Sequence, residues 1–215
     1  MRVGVLGTGE VGRRLGDRLL ADGHEVTLGS RDPDSPVAAD WAAERPGAGH
    51  GTFAEAAEGA ALLVNATPGR VSSQVLAGLP QRCLDGVVVL DVANPLDFDG
   101  GFPPTLAVCN TDSLGERLQR AHPTAKVVKA LNTLHNEVMV DPARVPGEHH
   151  VFVCGDDADA KGLVIGLLVA WGWPPTSLID LGDITNARAT EMLLPLWVRL
   201  YAHLGTADFN LGVVR

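Results

Sequence analysis

The fold is decided near the start of the chain, where residues 3–12 read Val3-Gly4-Val5-Leu6-Gly7-Thr8-Gly9-Glu10-Val11-Gly12. The apolar residues 3–6 predict a buried strand, and a helix should follow with Val11, Leu15 and Leu19 on one face. At such a turn the spacing Gly-x-Gly-x-x-Gly is typical of dinucleotide binding. The first glycine permits the tight turn, the second lets the backbone approach a pyrophosphate, and the third lets helix and strand pack closely. A glycine-rich turn without a ligand is the alternative, but the position between strand and helix favours binding.

Strand-like and helix-like segments alternate along most of the remaining sequence. Short strands are expected at residues 25–28, near His50, and at residues 62–65, 87–91, 126–129, 151–153 and 177–181. Helical patterns separate most of them, including one from Val71 to Leu79 and one that Ser113 caps with Glu116 at the capping-box position. This alternation predicts an α/β fold of the Rossmann type, a doubly wound and mostly parallel sheet.

The last third of the chain follows a looser pattern. No change of composition marks a linker, so we expect residues 1–130 to form the nucleotide-binding domain. Residues 131–215 should form a small C-terminal α/β extension packed directly on it. In that extension Asp183 should cap one long helix that reaches Leu204. Pro195 should bend this helix, because it deprives the Glu191 carbonyl of its donor.

The end of the second strand indicates which dinucleotide is bound. An NAD site usually places Asp or Glu there to bond the ribose 2′-hydroxyl. This sequence has Gly29-Ser30-Arg31 instead, with Asp32 one position later. Arg31 can make a bidentate contact to the 2′-phosphate of NADP, and Ser30 can donate its hydroxyl. The alternative is that Arg31 is a solvated loop charge and Asp32 takes the acidic role, but the pattern favours NADP(H).

Two further loops follow strands at the edge of the sheet where ligands bind in open α/β folds. They are Asn65-Ala66-Thr67-Pro68 and Asp91-Val92-Ala93-Asn94-Pro95. Each combines a small residue, a hydrogen-bonding side chain and a proline that fixes the backbone, which suits a loop closing over a flat heterocycle. Ordinary turn chemistry, with proline ending the strand, explains either loop equally well when it is taken alone.

Composition argues against several other classes of function. The net charge is −9 and no run of Lys or Arg stands out, so we expect no nucleic-acid partner. Cys83, Cys109 and Cys154 lie far apart, which argues against a disulfide framework and against a metal site. No apolar run is long enough for a membrane span and no signal peptide precedes the first strand, so the expected location is the cytoplasm.

The acid–base groups that usually accompany carbonyl reduction form no recognisable motif. The single tyrosine, Tyr201, lies in the C-terminal helix without a Tyr-x-x-x-Lys pattern. His135 could face a cofactor, although a surface or capping role suits it better. Hydride transfer between two bound heterocycles needs little beyond positioning and exclusion of water, so no acid–base residue is assigned.

Several longer segments are more specific than the glycine turn. They are Gly29-Ser30-Arg31-Asp32-Pro33, Asp91-Val92-Ala93-Asn94-Pro95-Leu96 and Lys126-Val127-Val128-Lys129-Ala130-Leu131-Asn132-Thr133. Later come Gly155-Asp156-Asp157, Asp180-Leu181-Gly182-Asp183, Ala187-Arg188 and the terminal segment from Phe209 to Arg215. Together with the glycine turn, these segments resemble the F420-dependent NADP oxidoreductase family (NADPH-dependent F420 reductases) over nearly the whole chain.

The resemblance implies direct hydride exchange between NADP(H) and the deazaflavin coenzyme F420. The cofactor-binding residues it implies, together with those already derived, are Gly7, Thr8, Gly9, Glu10, Val11, Gly12, Ser30, Arg31, Thr67, Pro68, Ala93 and Asn94. Asn132 and Thr133 would border the second substrate. Members often pair as homodimers, and the apolar C-terminal helix with Trp197 and Leu200 could supply the interface, unless it simply packs on the sheet.

One position departs from the family pattern, since Leu131 stands where members usually carry an aromatic residue. Other small-molecule acceptors therefore stay open. The chain could be an NADPH-dependent reductase of a flavin, a metal chelate or an imine. A protein that senses NADP(H) without catalysis is the alternative from another class.

Overall fold

Ten strands occur in the computed structural model, which describes residues 1–214. They are β1 Arg2–Leu6, β2 Glu25–Ser30, β3 Ala48–Thr52, β4 Leu62–Asn65, β5 Val88–Asp91, β6 Leu96–Asp97, β7 Thr105–Leu106, β8 Lys126–Lys129, β9 Val151–Gly155 and β10 Leu178–Asp180. Eight of them form one sheet in the order β10-β9-β8-β5-β4-β1-β2-β3, and β6 pairs with β7 in a separate two-stranded ribbon.

The large sheet is parallel except at one pair of strands. From β3 to β8 every neighbouring pair is parallel, whereas β8 and β9 run antiparallel with Lys129 opposite Cys154. β10 is again parallel to β9. The carboxyl ends of β1, β4, β5 and β8 therefore lie side by side at one edge, where open α/β sheets bind ligands.

Nine α-helices occur in residues 1–214. They are α1 Glu10–Ala21, α2 Pro36–Ala43, α3 Phe53–Ala57, α4 Gly69–Ala77, α5 Leu114–Ala121, α6 Asn136–Val140, α7 Ala158–Ala170, α8 Ala187–Met192 and α9 Leu194–Leu204. One hydrophobic core packs α1, α2, α6 and α7 against one face of the sheet, and it includes Leu15, Trp41, Val138 and Leu168. A second core packs α3, α4, α5 and the start of α8 against the other face. The predicted doubly wound α/β fold is therefore confirmed.

The region beyond residue 130 extends this sheet, because β9 and β10 add to its β8 edge. The division into a nucleotide-binding domain and a substrate or dimerisation region remains a prediction. Within residues 1–214 no helix has both the length and the apolar character needed to cross a membrane.

The single long C-terminal helix was a wrong prediction. A 3₁₀ turn at Ile184–Asn186 follows the Asp183 cap, α8 ends at Met192, and α9 begins at Leu194. Pro195 lies in the first turn of α9, where its missing N–H would be unpaired in any helix. The proline therefore begins a new helix instead of bending an existing one.

Candidate active site

The three glycines of the first turn meet different surroundings. A Cβ at Gly7, which has φ +124°, would lie 2.6 Å from the Ala66 carbonyl oxygen, and one at Gly12 would lie 2.1 Å from the Gly7 carbonyl oxygen. At Gly9 nothing lies within 4 Å of the added carbon. The fold itself therefore requires glycine at residues 7 and 12. The space left at Gly9 is open, as it would be in a cradle for a ligand.

Helix α1 begins at this open space. Gly9 is its N-cap residue and offers no side chain to the first N–H groups, which lack partners within any helix. Thr8 and Val11 are half-buried, Glu10 is exposed, and Arg13 Nη1 donates to the Thr8 carbonyl at 2.8 Å. The unpaired N–H groups and the helix dipole make this turn suitable for an anion such as a pyrophosphate.

The end of β2 lies beside the glycine turn, because the Gly7 N–H donates to the Gly29 carbonyl at 3.0 Å. Ser30 is buried, and its hydroxyl is hydrogen-bonded to the Asp32 carbonyl while accepting the Asp32 N–H at 3.1 Å. Arg31 is exposed and forms no ion pair with any carboxylate in residues 1–214. The structure thus uses Ser30 to shape the turn and leaves the Arg31 guanidinium available to an anionic ligand.

The loop after β4 is fixed by buried hydrogen bonds. Thr67 Oγ1 donates to Asn65 Oδ1 at 2.7 Å and lies 2.8 Å from Ser72 Oγ, and Asn65 Nδ2 donates to Asp91 Oδ1 at 2.8 Å. Pro68 is exposed and precedes α4 as its N-cap residue. The Thr67 hydroxyl is therefore part of the scaffold, and Pro68 faces solvent at the groove.

The loops after β5 and β8 are joined by a pair of amides. Asn94 Nδ2 donates to the Asn132 backbone carbonyl at 2.7 Å, and Asn132 Nδ2 donates to Asn94 Oδ1 at 2.9 Å. The first bond fixes the orientation of the Asn94 amide, and the second then fixes that of Asn132. Asn132 and Thr133 are both buried, 3% exposed. Sequence reasoning selected both asparagines, and the structure brings them together.

Leu131 has a left-handed backbone conformation, with φ +64°. For a leucine this conformation costs about 1–2 kcal/mol. Its side chain is buried in the hydrophobic core that also includes Leu134 and Val138. Backbone strain of this kind concentrates at functional sites. The residue that departs from the family pattern thus packs into the core and shapes the turn that carries Asn132.

A buried charged cluster lies directly behind these loops, and sequence reasoning missed it. Lys129 Nζ donates to Asp91 Oδ2 at 2.8 Å, to the Ala93 carbonyl at 2.5 Å and to Glu191 Oε1 at 2.8 Å. The three charged side chains are 0–1% exposed. The available signal was a lysine inside an apolar strand and an aspartate ending another, since such charges are buried only when paired.

The charges in this cluster support one another. Burial alone would lower the pKa of Lys129, but the carboxylates of Asp91 and Glu191 more than offset it and raise that pKa. Glu191 also accepts the N–H groups of Leu114 and Gly115 at 2.8 and 3.0 Å, at the N-terminus of α5. The cluster has two carboxylates and one ammonium, so it carries one negative charge in excess. The Glu191 carboxylate lies at the N-terminus of α5, where the helix dipole favours an anion.

In residues 1–214 the side chains of His135, Tyr201 and His149 form no hydrogen bond to the two asparagines or to the Lys129 cluster. His135 is the N-cap residue of α6, and Tyr201 is exposed on α9, stacked on Trp197 with ring centroids 5.6 Å apart. His149 is hydrogen-bonded to the Pro142 carbonyl and to Asn210. Across the part of the chain that the structure describes, no group of three possible metal ligands occurs. All three cysteines are unpaired, and burial raises the pKa of Cys154 to about 12.

Comparisons with known proteins show which family the sequence is similar to. The sequence model of the family "NADP oxidoreductase coenzyme F420-dependent" matches residues 2–95. The chain is 31% identical over 213 residues to the F420-dependent NADP reductase of Methanothermobacter marburgensis, covering 93% of this chain and 92% of that protein. It is 30% identical over 200 residues to metalloreductase STEAP3 of Rattus norvegicus, covering 91% of this chain but 38% of that protein.

One solved structure is similar from end to end. It is a crystal structure from Arthrobacter sp. FB24 of a protein provisionally named an F420-dependent NADP reductase. The identity is 50%, the TM-score is 0.95, and the alignment covers 100% of both chains. The similarity thus includes the C-terminal helices as well as the large sheet.

Proposed function

The chain belongs to the family of coenzyme F420-dependent NADP oxidoreductases, and we propose that it transfers hydride between NADP(H) and the deazaflavin coenzyme F420. It is an NADP-dependent oxidoreductase. F420 as the second substrate is supported by the similarity to F420-dependent NADP reductases along the full length of the chain. The cytoplasm is the proposed location.

The proposed NADP(H) site follows the edge of the sheet. The pyrophosphate would be held by the turn of Gly7, Thr8, Gly9, Glu10, Val11 and Gly12. The 2′-phosphate would be held by Ser30 and Arg31. The nicotinamide end would be held by Thr67, Pro68, Ala93 and Asn94. The open space at Gly9 is the structural feature that fits a bound dinucleotide, since a side chain there would meet no protein atom. Asn132 and Thr133 would border the second substrate.

Direct hydride transfer between two bound rings needs no acid–base side chain, and none is assigned at this edge. When bound, NADPH supplies the hydride at its nicotinamide ring. In residues 1–214 the loops after β4, β5 and β8 are held at this edge by the Thr67 hydroxyl and by the Asn94 and Asn132 amides. The Lys129 ammonium behind them already donates to three acceptors. The protein's part would be to bind, to align two rings and to exclude water, which is sufficient for a hydride step. The one proton that reduction of F420 also consumes can come from bulk solvent after the hydride has been transferred.

The similarity to F420-dependent NADP reductases along the full length of the chain is the observation that carries this proposal. Rapid mixing of the protein with NADPH, followed by loss of NADPH absorbance, tests it with F420, FMN and a ferric chelate as parallel acceptors. Fast oxidation with F420 alone is the expected result. Oxidation with FMN alone, or no oxidation by F420, would overturn the assignment of the acceptor.

A metal chelate is the second candidate acceptor, supported by the similarity to metalloreductase STEAP3. Because the chain spans only 38% of that protein, the activity of the whole relative is not transferred. Turnover with the ferric chelate but not with F420 would favour this candidate. Stoichiometric NADP(H) binding without turnover of any acceptor would favour a sensor.

We also propose that two copies of this chain associate through α9. The side chains of Leu196, Tyr201 and Leu204 are about half exposed on this helix, and Trp197 stacks between Tyr201 and Phe209. Leu200 lies on the same face, one helical turn from Leu196 and from Leu204. Adjacent exposed apolar residues of this kind mark interaction sites.

A further inference from the structure

Ala93 is held by the protein on both of its polar backbone atoms. Its N–H donates to Asp91 Oδ1 at 3.2 Å, and its carbonyl accepts from Lys129 Nζ at 2.5 Å. Asp91 is itself bonded to Lys129. The Asp91 and Lys129 side chains therefore close around one peptide segment, and neither end of Ala93 can turn without breaking a charge-assisted bond.

This restraint bears on the next residue in the chain. Asn94 follows Ala93 directly, and its amide is paired with Asn132 across the groove. Gly69, at the start of α4, also approaches here, since a Cβ on it would lie 2.1 Å from the Asn94 carbonyl oxygen. The backbone of residues 93–94 is thus the point where the loops after β4, β5 and β8 meet.

Glu191 connects the same ammonium to the C-terminal helices. Its carboxylate belongs to α8 and binds Lys129 Nζ and the first N–H groups of α5 together. Glu191 therefore anchors Lys129 Nζ to two helices, α8 and α5.

We propose that Lys129 is a positioning residue for the nicotinamide half of bound NADP(H), acting through the backbone of Ala93. The inference rests on the proposed NADP(H) site. Lys129 touches neither substrate, because it is fully buried and its three N–H groups are all occupied.

The test compares a ligand that reaches residues 93–94 with one that does not. NADP⁺ spans both halves of the site, whereas 2′,5′-ADP occupies only the adenosine half. In Lys129→Met the Ala93 carbonyl loses a charge-assisted bond, so we expect the Kd of NADP⁺ to rise about ten- to hundredfold. The Kd of 2′,5′-ADP should change less than about twofold. Titration calorimetry measures both.

Two companion variants make this result specific. Lys126→Met changes a lysine of the same strand that pairs with Asp157 at 3.0 Å, outside the cluster, and should leave both Kd values unchanged. Lys129→Met with Glu191→Gln removes one positive and one negative buried charge, so the cluster keeps its net charge if Lys129→Met alone does not fold. This double variant should show the same selective loss of NADP⁺ affinity.

The proposal is overturned if the Lys129 variants weaken the binding of NADP⁺ and of 2′,5′-ADP equally. The substitutions would then have disturbed the whole site and not only its nicotinamide half. It is also overturned if NADP⁺ affinity is unchanged. Neither result depends on F420, since only binding is measured. A failure of the hydride-transfer proposal would appear instead as normal NADP⁺ binding without turnover.

Discussion

The side-chain amides of Asn94 and Asn132 pair with one another, through bonds of 2.7 Å to the Asn132 carbonyl and 2.9 Å between the two side chains. These residues follow β5 and β8, which are neighbouring parallel strands. The pair therefore links the loop proposed to hold the nicotinamide with the loop proposed to border the second substrate.

Removing either amide should slow hydride transfer. It should also lower the free energy of unfolding, by a different amount for each residue. Asn94→Ala loses both hydrogen bonds, so we expect a loss of about 2 kcal/mol in the free energy of unfolding, and Asn132→Ala about 1 kcal/mol, since it loses one. Urea unfolding measures both. Asn186→Ala, which removes one bond to the Asp183 carbonyl elsewhere, is the control and should keep wild-type turnover. Wild-type hydride transfer in both amide variants would contradict a role for the pair in the site.

Gly9 and Gly12 should respond to the same added methyl group in opposite ways. At Gly12 the methyl would overlap the Gly7 carbonyl, so Gly12→Ala should destabilise the fold by about 1–3 kcal/mol. At Gly9 it meets no protein atom, so Gly9→Ala should cost at most about 1 kcal/mol, from the weaker N-cap. NADP⁺ affinity should nevertheless fall at least about tenfold in Gly9→Ala. Unchanged affinity would mean that the pyrophosphate does not approach this turn.

The sequence could predict those parts of this arrangement in which the interacting residues lie close together along the chain. The glycine turn, the eight strands of the large sheet and the Ser113 cap rest on local patterns and were predicted, whereas the short ribbon of β6 and β7 was not. The capping box of Thr52 and Glu55 starts α3 and was visible but overlooked. The cluster around Lys129 joins side chains from three separate segments, and the left-handed backbone of Leu131 lies two residues beyond it. No local pattern specifies such contacts. The break before Pro195 was missed because a proline can bend a helix or begin one.

Arg31→Ala tests which dinucleotide the site prefers. The Arg31 guanidinium pairs with no carboxylate in residues 1–214, so its loss should disturb no structural contact. We expect NADPH affinity to fall about ten- to hundredfold, because one charge-assisted contact to the 2′-phosphate is lost, while NADH affinity barely changes. Fluorescence titration of both reduced cofactors measures this. Arg82→Ala, at an exposed arginine paired with Glu58, is the matched control. Equal losses for the two cofactors would rule out a 2′-phosphate role.

The ion pair between Glu116 and Arg188 should make the stability of the fold depend on pH in the acidic range. Hydrogen bonds from Arg188, at 2.8 and 2.5 Å, lower the pKa of Glu116 from its ordinary value of 4.5, against the opposing effect of burial. A lowered folded-state pKa stabilises the protein above the unfolded value, and the gain is lost as pH falls through the folded value. Glu116→Gln should therefore melt below wild type at neutral pH, and the difference should shrink below about pH 4.5.

Thermal melting over a pH series checks this prediction, with Glu44→Gln as control. Glu44 is an exposed carboxylate 3.3 Å from Arg45, and pairs of this kind contribute little to stability. A difference between Glu116→Gln and wild type that stays constant down to acidic pH would show that the variant acts through packing and not through charge.

The exposed apolar face of α9 predicts a dimer, and charged residues introduced on this face should dissociate it. Leu196 and Leu204 lie two helical turns apart and are 49% and 50% exposed, so glutamate at both positions would place two charges inside the proposed interface. Size-exclusion chromatography with light scattering should show a dimer for the wild type and a monomer for Leu196→Glu with Leu204→Glu. Val169→Glu adds one charge at an exposed valine of α7 and should remain dimeric. If the wild type is monomeric, or if Val169→Glu also dissociates, α9 is not the interface. The aromatic stack of Trp197, Tyr201 and Phe209 then serves only to hold the C-terminal segment on its own chain.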